Sequence, residues 1–210
     1  MSGIAVYLRT SSKVLPDSAT RRITAVVNAK SAESARYSPG AVILHWLLAV
    51  MIVASFCVGL YMTDLAMSPQ RLRLFNWHKW AGIVILSLSA VRLLWRLSHR
   101  APALPRTMPA WQVNVSRGVH ALLYALFFAV PLSGWAYSNA AGFPIVLFAL
   151  IPLPDLVEKN RELADTIKAL HHWLAYGLAT CVVLHIAAAA KHQWIDKDRL
   201  LSRMWPISSR

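Results

Sequence analysis

Residues 171–185 read HHWLAYGLATCVVLH. The stretch is apolar apart from its histidines, and an ionisable side chain inside such a run is costly in lipid and marks function. An α-helix turns about 100° and rises about 1.5 Å per residue. His171 and His185 are 14 residues apart, about 40° short of four full turns, so their rings share a face at depths about 21 Å apart. His172 is 13 residues from His185, about 140° short of four turns, and points nearly the other way. One face of this segment therefore carries two rings at two depths, and His172 reads as an interfacial bystander.

The rest of the chain agrees with a membrane setting. It has 210 residues, 57% hydrophobic and 15% charged, with a mean hydropathy of +0.45, which is too apolar and too charge-poor for an ordinary soluble domain. Four apolar segments run over Ala41–Thr63, Trp77–Leu97, Gly118–Ser138 and about Ala169–Ala190, each close to the ~20 residues that cross a bilayer. Pro131 stands inside the third and predicts a kink, or a neighbouring helix that satisfies the freed backbone. The stretch AGFPIVLFALIPLPD before the fourth is apolar but short and proline-rich, and is expected to lie in the interface. The expected architecture is all-α: an integral membrane four-helix bundle over 36–205. Residues 1–35 are expected to form a polar, flexible extension, and they show no apolar core of a secretory signal.

The formal charge of +13 resides mainly between the apolar runs, with no aromatic-interleaved basic face, so nucleic acid is excluded as a partner. The charges give orientation instead. Six Lys/Arg precede the first segment, five lie from Arg92 to Arg117 and five follow from Lys191, against six on the opposite side. The positive-inside rule then puts both termini in the cytoplasm. Cys57 and Cys181 sit within apolar runs and read as small core residues; no C-x-x-C-H occurs, so covalently attached haem is not expected.

Each ring of the fourth segment needs a partner from another helix. In the expected orientation His78 opens the second segment on the outer side, at the depth of His171, and His45 opens the first on the inner side, at the depth of His185. Two bis-histidine sites at opposite depths in a four-helix bundle are what two non-covalent b-type haems require. A lone pair of histidines leaves zinc short of ligands, and no Glu-x-x-His motif points to di-iron. His120 competes with His45 for the inner site, and Tyr124 shares its face one turn on. Arg92 follows His78 by 14 residues, so it stands on that face at the inner depth, where a guanidinium can bind a haem propionate bidentately. Arg96 is expected to snorkel to headgroups, and His99 and His192 to be solvated or headgroup-facing.

The segments YSPGAVILHWLLA, FNWHKWAGIVILSLSAVRLLWR, HALLYALFFAVPLSGW and ALHHWLAYGLATCVVLHIAAAAKHQ, taken as a set, resemble the bacterial cytochrome b561 family over about 36–205. The resemblance implies a four-helix, di-haem b protein of the bacterial inner membrane, linked to quinone. It implies His45, His78, His171 and His185 as ligands, since the family does not usually give its histidine near His120 that role. The best-understood member type that it resembles is a superoxide oxidase, which takes electrons from superoxide on the periplasmic side and reduces ubiquinone. Other relatives are cytochrome b subunits that link a dehydrogenase, a hydrogenase or a periplasmic redox protein to the quinone pool. For the first activity, Lys79, Arg71, Arg73, Arg161 and Lys168 form an outer basic cluster able to steer an anion.

Overall fold

The computed structural model describes residues 36–99, 101–104, 108–198 and 200–205. The expected extension over 1–35 lies outside them.

Four long helices carry the chain. Helix α1 is Pro39–Asp64 and α2 is Pro69–Ser98. Helix α3 is Ala110–Ala140 and α4 is Arg161–Lys191. All four are long and apolar enough to cross a membrane. Proline at the first helical turn of α1 and α2 loses nothing, because the N–H it lacks would have no intrahelical partner there. Ser68 caps α2 by accepting from Arg71 N at 3.2 Å, and Asn160 caps α4 by accepting from Leu163 N at 3.0 Å. These caps explain why α2 and α4 begin eight residues before the apolar runs that mark them in the sequence. Hydropathy reports the apolar middle of a helix, whereas capping fixes its end. Pro131 lies inside α3, which continues through it.

The centre of the bundle is an apolar belt of Leu48, Ile52, Ile85, Leu123, Leu126 and Leu178. Seven residues make about 20° less than two turns, so Leu178 sits on the face of α4 midway between His171 and His185. Ile85 sits likewise on α2, midway between His78 and Arg92. The belt thus separates two polar layers. The outward faces are apolar too, with Ile43, Val50, Val53, Leu94, Leu122, Val183 and Ile186 exposed. In lipid such faces meet hydrocarbon, so helix association rests on close packing rather than on the hydrophobic effect. Gly82 supplies such an approach: a Cβ there would stand 4.0 Å from Pro131 Cβ.

The two ends of the bundle are closed differently. The stretch expected to lie in the interface folds as a hairpin, β1 (Val146–Leu147) antiparallel to β2 (Ile151–Pro152). Its turn places Phe148 and Ala149 at φ 51° and 60°. Trp80 Nε1 donates to Val146 O at 2.8 Å. Asn139 holds the following loop, donating to Asp155 and accepting from Leu156 N at 3.1 Å. At the other end, α4 runs into a wider helical turn over His192–Asp196 and a short 3₁₀ turn over Leu201–Met204. This tail is tied to the start of α1 by Trp46 Nε1 donating to Met204 O at 2.8 Å and Arg36 donating to Trp205 O at 2.7 Å. Arg203 is buried and donates to Ala103 O at 2.7 Å.

Candidate functional site

At the hairpin end, α2 and α4 bring His78 and His171 together, with ring centres 6.3 Å apart and ring planes at 88°. Both rings are partly buried. His78 Nδ1 lies 3.2 Å from Ser55 Oγ on α1. His171 Nδ1 lies 3.1 Å from Ser133 Oγ and 3.0 Å from Val130 O on α3. Each helix of the bundle therefore contributes to this layer, and each Nδ1 is engaged. Glycine makes the approach possible. A Cβ on Gly59 would stand 3.2 Å from His78 Cε1, and one on Gly134 would stand 3.0 Å from His171 Cε1. His172 is exposed and outside the pair, as its angle on the helix requires.

At the tail end three histidines meet. His45 and His185 have ring centres 6.2 Å apart at 68°, and His120 stands 5.3 Å from His185 at 81°. His120 Nδ1 donates to Ser116 O at 2.6 Å. Arg92 Nη2 donates to His45 Nδ1 at 3.1 Å. Arg92 also lines a cleft of about 440 Å³ with Arg36, Arg96, Trp95 and Tyr124. No carboxylate pairs with Arg92 or Arg96 among the described residues.

Whether these rings suit a haem can be judged by distance. An imidazole nitrogen bonds a metal at about 2.0 Å and lies about 1.1 Å from its ring centre, so rings on opposite faces of one ion have centres roughly 6.2 Å apart. The His78–His171 and His45–His185 separations both match; His120–His185 is too short. Tautomers pull the other way at the tail end. A neutral histidine ligating through Nε2 carries its proton on Nδ1, and a guanidinium can only donate. His45 ligation and the Arg92–His45 hydrogen bond are therefore alternatives, whereas His120 already has Nδ1 as donor. Two buried groups without partners lie next to the layers: Ser89 Oγ on α2, between Ile85 and Arg92, and Trp135 Nε1 beside Gly134.

Several residues depart from the sequence reading. His192 is partly buried rather than solvated, with Nδ1 2.6 Å from Asp198 and 3.1 Å from Asp196. His99 does not depart: it is exposed, stacking on Trp95 at 4.3 Å. Cys57 is exposed on α1 rather than in the core. Of the basic cluster, Lys79 is partly buried one residue past His78 and Arg71 stands 5.5 Å over the Phe75 ring, while Arg73, Arg161 and Lys168 are exposed. Ser55, Ser133, Gly59 and Gly134 carry no spacing signal, because each serves a ring on another helix.

Four membrane-length helices with histidines layered at both ends define a multi-pass membrane cytochrome for electron transfer. The chain belongs to the prokaryotic cytochrome b561 family, whose profile matches residues 36–206. It is 35% identical over 182 residues to "Cytochrome b561 homolog 2" of Escherichia coli (strain K12), covering 83% of this chain and 93% of that one. It is 30% identical over 171 residues to "Probable superoxide oxidase CybB" of Yersinia pestis, covering 81% and 96%. Family membership carries b-type haem, electron transport and a place in the bacterial inner membrane.

Proposed function

We propose that this chain oxidises superoxide on the periplasmic side and reduces ubiquinone, using two b-type haems held by His78 with His171 and by His45 with His185. The observation that carries the reading is the pair of ring separations, 6.3 and 6.2 Å, at opposite ends of one bundle. Held by His78 with His171 and by His45 with His185, a haem would supply single-electron exchange rather than oxygen chemistry at the metal. Two superoxide ions give two oxygen molecules and two electrons; ubiquinone takes those electrons and two protons to become ubiquinol. The hairpin end faces the periplasm in this reading, and residues 36–205 are the whole haem-binding unit.

The chain's own residues divide the work. Lys79, Arg71 and Arg73 give the hairpin end a positive field that concentrates a small anion near the first pair. Ser55, Ser133 and the Val130 carbonyl hold the Nδ1 protons of that pair, which fixes the rings and leaves Nε2 for iron. Arg92, which has no carboxylate partner among the described residues, would be the residue to hold a haem propionate. His120 stands beside His185 at the tail end. The relative named a probable superoxide oxidase supports the choice of donor.

One observation favours a second reading, an electron-transfer subunit reduced by a docked dehydrogenase, hydrogenase or periplasmic redox protein. Phe148, Leu150 and Ile151 are exposed on the hairpin, Leu150 at 81%, and offer an apolar contact. Ubiquinone reduction by superoxide with the purified single chain separates the two. Activity supports the oxidase; a chain that ignores superoxide but is reduced quickly by a protein donor supports the subunit.

A further inference from the structure

Past the end of α4 the chain carries a group of ligating side chains that the haem reading does not use. We propose that His192, Asp196 and Asp198 form a site for one zinc ion, held by an imidazole nitrogen and two carboxylate oxygens, with water completing the shell.

From Lys191 onward the sequence has two acids, Asp196 and Asp198, and both converge on one ring. His192 Nδ1 lies 2.6 Å from Asp198 Oδ2 and 3.1 Å from Asp196 Oδ2. The local fold builds this convergence. The wider helical turn over His192–Asp196 ends at Lys197, which is left-handed at φ 54°. The chain doubles back there, and Asp198 N donates to His192 O at 3.2 Å. Asp198 Oδ1 accepts from Leu200 N at 3.1 Å, which leaves Oδ2 for the ring. The His192 and Asp198 side chains are 19% and 18% exposed, so the site is sheltered yet open to an ion from solvent. Among the described residues, this is the one group in which three such ligand atoms all lie within 4.8 Å of one another.

Zinc bonds imidazole nitrogen and carboxylate oxygen at about 2.0–2.2 Å, so two ligands on a tetrahedral ion stand roughly 3.4 Å apart. The Asp196 separation is already near that value, and the Asp198 separation has to open by less than about 1 Å. Ligation at Nδ1 leaves the ring proton on Nε2. Carboxylates alone suit magnesium or calcium, whereas an imidazole in the set favours a borderline metal. A second observation points to a ligand here. Gln193 Oε1, in the same turn, is buried and has no hydrogen-bond partner among the described residues. A buried acceptor left unpaired is costly, and a water on the zinc would supply the donor it lacks. Lys191 is the competitor. Its Nζ lies 2.6 and 2.8 Å from the two oxygens of Asp196, and its exposed side chain can return to solvent when the ion binds.

Titration of zinc against a chromogenic chelator, on the tag-free, full-length, haem-loaded protein in excess magnesium, tests this. One zinc per chain is expected. Asp198→Asn keeps the oxygen that caps Leu200 N but removes the charge. It and His192→Gln should each weaken zinc binding about tenfold or more, with the haem spectra unchanged. Lys191→Met keeps the aliphatic stem and frees Asp196, so it should tighten binding; a turn that needs its salt bridge would do the reverse. His99→Gln and His172→Gln, at exposed rings elsewhere, should leave the affinity as it is. A wild type that takes up no zinc overturns the proposal. So does zinc bound equally well after His192→Gln and Asp198→Asn, or more weakly after Lys191→Met.

Discussion

The hairpin end and the tail end solve the same problem with different means. Each presents two rings at a separation that suits one metal between them. The hairpin end does so with neutral partners and bare backbone: two serines, a carbonyl and two glycines pressed against the rings. The tail end does so with charge and surplus: an arginine on one ring, a third histidine beside the other, and a basic cleft. The difference teaches that matched depth and facing are enough to place ligands, while the character of each site is set by residues on other helices. It also says which end tolerates change. The tail end has a third histidine, His120, beside the pair; among the described residues no further histidine ring stands against His78.

The strongest way to break this comparison is to remove one ring. His171→Ala should eliminate the hairpin-end haem and spare the other, whereas His172→Ala should retain both, because only His171 faces His78. Pyridine haemochrome assay against protein concentration reads the difference, and equal losses in the two variants contradict the facing. Next comes room. Gly134→Val puts branched carbon where even a Cβ lies 3.0 Å from His171, so it should deplete the hairpin-end haem while the tail-end haem stays; full occupancy of both would show that the glycine is dispensable.

Much of this was legible in the sequence. The 14-residue intervals from His171 to His185 and from His78 to Arg92 report a helix face directly, because helical geometry is periodic. Depth pairing followed from span order and charge. The serines and glycines were not legible: Ser55 serves a ring 23 residues away on the next helix, and nothing in local spacing encodes a cross-helix contact. His192 was misread because its carboxylate partners lie in a turn beyond α4, where the helix widens and the chain reverses at Lys197. The hairpin went unseen because its strands are two residues each and its turn is not glycine.

Charge gives a smaller effect that sharpens the contrast. Neutralising Lys79 and Arg73 together should lower the rate of haem reduction by superoxide roughly tenfold and flatten its salt dependence. The attraction acts through solvent, so salt should screen it over about 8–10 Å. Charge reversal at Arg106, which lies outside the described residues in the sequence between α2 and α3, should leave the rate unchanged. A rate indifferent to salt contradicts steering. The smallest effect concerns the caps on the bundle. Asn139→Ala leaves Asp155 and Leu156 N without their partner, which should cost about 1–3 kcal/mol of stability. It should loosen the hairpin in thermal unfolding with both haem spectra retained.

The central claim is that one chain holds two haems at two depths. Haem stoichiometry on the purified, full-length chain tests it most directly, with pyridine haemochrome for haem and amino-acid analysis for protein. The expected result is two extractable b-type haems per chain, both low-spin in the oxidised and reduced spectra. A ratio of one haem per chain, or haem that resists acid-acetone extraction, contradicts it.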